Sequence, residues 1–192
     1  MKTILICSQK GGSGKSTLCA NLAVCASQER RTAVMDTDSP QGSLSRWFNT
    51  REKDTPYFAT KWDVDVDWLL VDTPPRIPQG TMVEKADLVV IPVRPSPLDV
   101  QAVDTVLEVV RACKKPYVFV INSTKPNARL TVETLRVLAG VGMVCPMTVG
   151  DRVSFAISML RGLAVIEMEP KSRSSEEVTE VWEYVKGQAN GG

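Results

Sequence analysis

The stretch Gln9-Lys10-Gly11-Gly12-Ser13-Gly14-Lys15-Ser16-Thr17 decides the fold of this 192-residue chain. It follows a short apolar run at positions 4–7, which is typical of a strand buried on both faces. After it, the apolar residues Leu18, Leu22 and Cys25 recur at helical spacing. A glycine-rich loop between a buried strand and a helix predicts backbone N–H groups that turn inward around an anion.

The end of this loop carries the chemistry of a phosphate site. It is a shortened form of the pattern G-x-x-x-x-G-K-[ST], in which Lys15 reaches the β- and γ-phosphates and the Ser16 hydroxyl binds Mg²⁺. The following helix adds its N-terminal dipole. A dinucleotide fingerprint is excluded because Thr17 stands where its third glycine is needed. The predicted nucleotide-binding residues of the loop are Gly11, Gly12, Ser13, Gly14, Lys15, Ser16 and Thr17.

Outward from the loop, short apolar runs alternate with helical stripes. Runs at 32–35, 68–71, 88–93 and 117–121 predict buried strands, and helical stripes lie between and after them. This alternation predicts an α/β fold, a mostly parallel twisted sheet with helices on both faces. The length fits a single domain over 1–192, whose extreme end at about 188–192 we expect to be frayed.

The last helix has its own start signal. Ser174-Ser175-Glu176-Glu177 is a capping-box pattern, and the apolar stripe that follows it contains Trp182, which we expect in the core. A membrane-binding amphipathic helix would carry basic residues beside its apolar face. This helix is acidic instead, so the pattern argues against membrane binding.

The composition excludes several classes of site. Histidine is absent, which removes Ser-His-Asp and Cys-His catalysis and histidine metal ligands. The five cysteines include no Cys-x-x-Cys pair, so we expect buried free thiols in a reducing cytoplasm. A net charge of +1 excludes a strongly basic nucleic-acid binder on global charge alone. No signal peptide or membrane-spanning run is predicted.

Two aspartates end predicted strands at the edge where the glycine-rich loop lies. Asp36 follows the run at 32–35 and Asp72 follows the run at 68–71. Ligands of open parallel sheets bind beyond the carboxyl ends of the strands. The glycine-rich loop and the two aspartates are therefore predicted to lie together at the carboxyl ends of the strands.

These segments resemble one family. Lys10-Gly11-Gly12-Ser13-Gly14-Lys15-Ser16 resembles the deviant Walker A box of the ParA/MinD group of P-loop ATPases. Asp36-Thr37-Asp38-Ser39-Pro40-Gln41-Gly42 is similar to the group's second motif, with Ser39 inserted before the proline. Leu69 to Pro75 looks like its Walker B and switch II segment, and Arg152 to Ala156 resembles its C-terminal region. The short chain is most similar to the small plasmid-partition ParA proteins.

The resemblance implies roles for individual residues. Lys10 would reach across a dimer interface to the partner's nucleotide, and Asp38 would position or deprotonate the attacking water. Together with Lys15, they form the implied catalytic set. Ser16, Asp36 and Asp72 would hold Mg²⁺, while Thr73-Pro74-Pro75 would sense the γ-phosphate. The implied cofactors are ATP and Mg²⁺, and the implied state is a homodimer formed on ATP.

The predicted base is adenine. Guanine-reading enzymes of this class use an Asn-Lys-x-Asp box, whereas the chain has Asn122-Ser123-Thr124-Lys125 at the equivalent strand end. Asn122 is the candidate reader of the base, with the loop at 146–149 as the opposite wall. A simple capping role for Asn122 remains open.

Members of the ParA group bind DNA without sequence preference and release it when a ParB-like or adaptor partner stimulates hydrolysis. Such a protein would be cytoplasmic and associated with the nucleoid in its ATP state. Segment 111–173 holds ten Lys/Arg and four acids, a local excess of six positive charges. These charges form either a DNA-binding face or scattered solvated groups. The DNA-binding candidates are Arg129, Arg152 and Arg161.

Other functions stay open. A MinD-like or protein-organelle positioning ATPase would share the phosphate site, as would a nucleotide-gated assembly protein with no DNA role. Segment 51–67 is either an edge hairpin or helix that faces a partner, or a plain surface connection.

Overall fold

The computed structural model describes residues 1–38, 42–126 and 129–191. Across these ranges the strands form one parallel sheet of seven, in the order β3-β2-β4-β1-β5-β6-β7. The predicted α/β class is confirmed. The strands are β1 (Lys2–Ile6), β2 (Thr32–Asp36), β3 (Tyr57–Phe58), β4 (Trp68–Asp72), β5 (Leu88–Val93), β6 (Tyr117–Ile121) and β7 (Met143–Val144).

Helices cover both faces of this sheet. The sequence patterns predicted the long ones, whereas the four-residue helices α3 and α8 lack a periodic stripe long enough to be seen. The helices are α1 (Lys15–Ser27), α2 (Ser43–Thr50), α3 (Gly80–Val83), α4 (Pro97–Gln101), α5 (Val103–Ala112), α6 (Arg129–Ala139), α7 (Val153–Leu160), α8 (Val165–Met168) and α9 (Arg173–Ala189).

The two sides of the sheet form two apolar cores. In β1, Ile4 and Ile6 pack with α1 and α9, whereas Leu5 packs on the other side with α3 and α5. Successive side chains of a strand point to opposite faces, so a strand covered on both sides must be apolar throughout. Trp182 is buried and meets the Trp68 ring edge-on at 5.1 Å, which confirms its predicted place in the core.

Local structure differs from the expectation at three places. Helix α9 is capped by Ser172, which accepts a hydrogen bond from the Ser175 N–H, so the helix begins before the predicted box. Within segment 51–67, Tyr57–Phe58 form the parallel edge strand β3 and the other residues form neither helix nor strand, so the segment is closer to a surface connection than to a hairpin or helix. Helix α9 continues through Ala189 and so includes the first two residues of the end that we expected to be frayed; Gly192 lies outside the described residues.

Four of the five cysteines are buried, as expected, and Cys113 is half-buried; all five are free thiols. In the ranges that the structure describes, no helix is long and apolar enough to cross a bilayer.

The strand order sets the position of the site. Strand β1 lies between β4 and β5, and Ile6 pairs in register with Asp72, which in turn pairs with Asp36 of β2. The carboxyl ends of three neighbouring strands therefore meet where the glycine-rich loop leaves β1.

Candidate nucleotide-binding site

The glycine-rich loop turns tightly into helix α1. Gly14 caps the helix with φ +85°, and Gly12 has φ +72°, conformations that residues with a Cβ rarely adopt. A Cβ on Gly14 would overlap the side-chain amide of Asn122. That amide donates to the Ser13 carbonyl oxygen at 2.8 Å and ties the end of β6 to the loop. The loop is therefore held open around the first N–H groups of α1, which point toward any anion bound there.

Lys15 brings a positive charge into this cradle. Only 6% of the residue is exposed, and its Nζ donates to the Lys10 carbonyl oxygen at 3.2 Å. Burial lowers the pKa of Lys15, while the charge of nearby Asp72 opposes that shift. A buried ammonium that faces a carbonyl lacks a full counter-charge, so an anionic ligand would stabilise it.

Asp72 is the carboxylate of the cradle. Its Oδ2 accepts a short hydrogen bond from the Ser16 hydroxyl, whereas its Oδ1 is buried with no partner among the described residues. Burial raises the pKa of Asp72 to about 7, with the hydrogen bond from Ser16 acting in the opposite direction. A buried carboxylate oxygen without a partner next to a hydroxyl fits a hard cation such as Mg²⁺.

Asp36 has different surroundings. Its Oδ1 accepts the Asp38 N–H at 2.9 Å, and its Oδ2 accepts the N–H and hydroxyl of Ser45, both at 2.8 Å. The side chain thereby fixes the start of α2, and a Cβ on Gly42 would collide with it. Both oxygens of Asp36 have partners, so its predicted role at the metal stays a prediction with less support than that of Asp72.

Asp38 lies at the rim. Its side chain is exposed and lines the cavity, so it can meet a ligand there. Residues 39–41 fall outside the described residues, and the inserted Ser39 lies among them. The neighbouring Thr73 also lines the cavity and donates its hydroxyl to the Ile6 carbonyl at 3.0 Å.

The cavity has a volume of about 460 Å³ and two chemically different ends. The glycine-rich loop, Lys15 and Ser16 form the polar end. Asn122, Val149 and Phe155 form an end that suits a flat ring with a few polar edges. The predicted positions of Asn122 and of the loop around Val149 are thus brought together, while base reading by Asn122 stays a prediction.

Lys10 is placed differently from the other loop residues. Its backbone joins the site through the carbonyl that accepts from Lys15, and its side chain is half-buried. The described residues that line the cavity include Gly11 and Gly12 but not Lys10. A role across an interface, as implied by the resemblance, agrees with that position but stays a prediction.

An ion pair lies beside the end of the cavity that Val149 lines, and its arginine also lines the cavity. Arg152 Nη2 donates to Glu177 Oε1 at 2.6 Å, and the other oxygen, Oε2, accepts the Gly150 N–H at 3.0 Å. Burial would raise the pKa of Glu177, but the hydrogen bonds from Arg152 and Gly150 lower it. No sequence pattern predicted this ion pair, because Glu177 is part of a helix-start motif and nothing in the spacing links it to Arg152.

The candidate DNA-binding residues do not all line one groove. Arg129 and Arg152 line a groove of about 600 Å³, whereas Arg161 ends α7, about 13 Å away along that helix. Arg111 lies in α5 at the amino end of β6, opposite to the carboxyl end where the groove lies, and it donates to the Val141 carbonyl at 3.0 Å. Four cations of segment 111–173 are grouped in a smaller basic groove, defined by Lys125, Arg129, Arg152 and Arg173 and containing Asp151 and Glu177, and DNA binding there stays a prediction.

Comparison with protein families matches residues 4–165 to the CobQ/CobB/MinD/ParA nucleotide binding domain. The matched region contains the glycine-rich loop, both strand-end aspartates and Asn122.

Individual relatives cover almost the whole chain. The carboxysome distribution protein A of Halothiobacillus neapolitanus is 26% identical over 93% of this chain and 94% of its own length. The solved MinD of Pyrococcus horikoshii, a complex with Mg-ADP, superposes with a TM-score of 0.81 at 16% identity, over 98% of this chain and 97% of that one. A plasmid partition protein of Borrelia burgdorferi, bound to AMPPNP, gives 0.79 at 18% identity over 97% and 99%.

Proposed function

We propose that this chain, which belongs to the CobQ/CobB/MinD/ParA nucleotide-binding family, is an ATP-driven positioning ATPase that pairs on ATP and holds DNA while paired. One observation carries the ATPase part of the proposal. Buried Lys15 precedes Ser16 at the start of α1, and Asp72, which accepts from Ser16, has its buried Oδ1 without a partner in the described part of the chain. A triphosphate with its Mg²⁺ supplies both missing counter-charges at once.

Each residue of the cradle has a task in this proposal. Lys15 binds the β- and γ-phosphates, while Ser16 and Asp72 hold Mg²⁺. When bound, Mg²⁺ neutralises the charge of the phosphate oxygens. Where the structure describes the chain, no cluster of three metal-binding side chains occurs, which suits a cation that takes most of its ligands from phosphate and water.

Catalysis in this proposal involves two further residues. Asp38, exposed at the rim, orients the attacking water, and Lys10 contacts the nucleotide of a second copy. Positive charge beside the transferring phosphoryl group stabilises the negative charge that develops there. The isolated chain then hydrolyses ATP slowly, because its own Lys10 lies outside its own cavity.

The DNA part of the proposal is supported by the basic groove. Its four cations outnumber its two acids, although Glu177 pairs with both Arg152 and Arg173. The groove shares Gly150, Asp151 and Arg152 with the cavity, so nucleotide binding can alter it directly. A pair of chains would present two grooves and would bind DNA more tightly than one chain does.

The cargo has two candidates. The resemblance of the sequence motifs to ParA proteins favours plasmid or chromosomal DNA as cargo and a ParB-like protein as stimulator. The full-length similarity to a carboxysome distribution protein favours a protein organelle and an adaptor protein instead. Both cargoes use the same ATP cycle.

Sedimentation tests the cycle. The chain is spun with ADP or a non-hydrolysable ATP analogue, each with and without random duplex DNA. We expect a monomer in ADP, a dimer in the analogue, and co-sedimentation with DNA in the analogue only. A dimer that ignores DNA would leave a nucleotide-gated assembly protein, and a monomer in both nucleotides would overturn the proposal.

Charge reversal tests the groove. Lys125→Glu and Arg129→Glu should weaken DNA retention in the ATP analogue and lower the salt slope of binding by about one per lost phosphate contact. Arg161→Glu is the matched control, because it has the same charge change outside the groove. Equal losses in all three variants would mean that the DNA surface is not this groove.

A further inference from the structure

A second cation stands beside the phosphate loop without a role in the site described above. Arg94 directly follows β5, and its guanidinium forms a two-point ion pair with Asp99. Arg94 Nε lies 3.1 Å from Asp99 Oδ1, and Nη2 lies 3.4 Å from Oδ2. The Asp99 side chain is 6% exposed and that of Arg94 is 40% exposed. A buried carboxylate therefore fixes the plane of a guanidinium that still reaches solvent.

The other side of this guanidinium faces the phosphate loop. Nη1 lies 3.7 Å from the position that a Cβ on Gly12 would take. Strand β5 pairs with β1, so the residue after β5 stands next to the loop that leaves β1. Nη1 takes no part in the pair with Asp99, and it carries two N–H groups that can bind an oxyanion.

Arg94 and Lys10 have one feature in common. The described residues that line the nucleotide cavity include the exposed Gly11 and Gly12 but neither of these two cations. Arg94 lines instead an adjoining hollow of about 540 Å³, together with Ser96 and Lys125. Arg94 thus adjoins the loop from outside the cavity lining, a position from which it and Lys10 can meet a triphosphate held by a facing molecule.

We propose that Arg94 acts in trans, donating from Nη1 to the triphosphate bound by a second copy of this chain, beside Lys10. This inference rests on the proposed pairing on ATP. In hydrolysis the water oxygen forms a bond to the γ-phosphorus, and the bond to the bridging oxygen breaks. ADP leaves with that electron pair, and the water proton passes to the phosphate product. Arg94 stabilises the negative charge that builds up in this step, and Asp99 orients it.

Single variants give the first test. Arg94→Ala should keep ADP binding, and its ATP turnover at saturation should fall about 10- to 100-fold at temperatures where the variant is folded. Its melting temperature should be lower than that of the wild type, because the buried Asp99 loses its partner. Arg94→Lys should recover little, because lysine cannot pair with Asp99 and donate to phosphate from two sides. The control is Arg31→Ala, which removes a surface ion pair with Asp65 at the other edge of the sheet. Unchanged turnover in Arg94→Ala would overturn the inference.

Mixing variants tests the trans arrangement. In a mixed dimer of Arg94→Ala and Asp38→Ala, one site has its own Asp38 and receives Arg94 from its partner. An equal mixture, in which half of the dimers are mixed, should regain about a quarter of wild-type turnover. Arg94→Ala mixed with Lys10→Ala should regain none, because every site then lacks one of the two cations.

The outcomes separate the two proposals. If Arg94 acts on its own nucleotide, the mixture of Arg94→Ala with Asp38→Ala stays inactive, although the wild type pairs and hydrolyses ATP. That result overturns the action of Arg94 in trans and leaves the proposed function intact. A wild-type chain that remains monomeric in the ATP analogue overturns the proposed function and the role of Arg94 with it.

Discussion

Two buried carboxylates in this protein have opposite environments. Glu167 receives both Nη atoms of Arg51, at 2.7 and 2.8 Å, and the Ala164 N–H at 2.8 Å. Asp72 receives the Ser16 hydroxyl on one oxygen and leaves the other unpartnered within the described residues. Burial raises the pKa of Asp72 to about 7. At Glu167 burial acts the same way, but the hydrogen bonds from Arg51 and Ala164 outweigh it and lower the pKa.

The difference separates a structural pair from a ligand site. Glu167 and Arg51 join the end of α2 to the start of α8, and the Arg51 side chain, 1% exposed, also donates to the Gly162 carbonyl at 2.9 Å. The guanidinium of Arg51 and both carboxylate oxygens of Glu167 thus have hydrogen-bond partners inside the chain. At Asp72 and Lys15 the two charges compensate each other only in part, and one Asp72 oxygen has no partner among the described residues, which costs stability unless a ligand binds. Incomplete pairing is thus the physical mark of the site.

The largest expected effect is a loss of ATP binding when the buried lysine of the ligand site is removed. Lys15→Ala should weaken ATP binding at least about 100-fold, because two charge-assisted phosphate contacts are lost. The melting temperature without nucleotide should stay the same or rise, since a poorly paired buried charge disappears. Calorimetric titration and thermal melting measure the two quantities, with exposed Lys61→Ala as control. Tight ATP binding by Lys15→Ala would remove the phosphate assignment.

The structural pair should respond in the opposite way. Arg51→Met leaves Glu167 as a buried charge without its main partner and should destabilise the fold by about 3–5 kcal/mol. ATP affinity should change little at temperatures where the variant is folded. Lys53→Ala is the control: this lysine touches the same carboxylate at 3.2 Å but is 54% exposed, so its loss should cost within about 1 kcal/mol. Chemical denaturation measures both, and equal losses would contradict the argument from burial.

Asp72→Asn sharpens the contrast between the carboxylates. It should keep or raise the melting temperature of the nucleotide-free chain, because the amide carries no charge to bury. The gain in ATP affinity on adding Mg²⁺ should fall by about tenfold or more. Glu167→Gln should show the reverse, a lower melting temperature with an intact Mg²⁺ effect. If both variants lost stability alike, Asp72 would be a structural carboxylate as well.

The smallest expected effect is a pH dependence. The pKa of Glu167 is lower in the folded than in the unfolded chain, so its stabilising contribution is present above the unfolded value and is lost as pH falls through the folded one. The stability gap between wild type and Glu167→Gln should therefore be constant from neutral pH to about pH 5 and close below it. A gap that is independent of pH down to acid unfolding would contradict the charged pair.

Much of the site could be predicted because its residues are neighbours in sequence. The glycine-rich loop, Lys15 and Ser16 form one continuous stretch, and Asp36 and Asp72 end recognisable strands. Residues that act through distant contacts could not be found in this way. Arg152 and Glu177 are 25 positions apart and Arg51 and Glu167 are 116 apart, and no local pattern joins either pair.

The sequence alone was sufficient for the parallel α/β sheet and the phosphate loop, because both arise from local rules: apolar runs bury strands, and glycines permit a loop that encloses an anion. Only the tertiary structure decided which charges remain without partners. In the folded chain both oxygens of Asp36 accept hydrogen bonds, whereas one oxygen of Asp72 has no partner among the described residues. Packing also separates Arg111 from the basic groove and places Arg94 beside Gly12. Those outcomes depend on which distant groups packing brings within a few ångströms, and such distances are set by the assembled sheet.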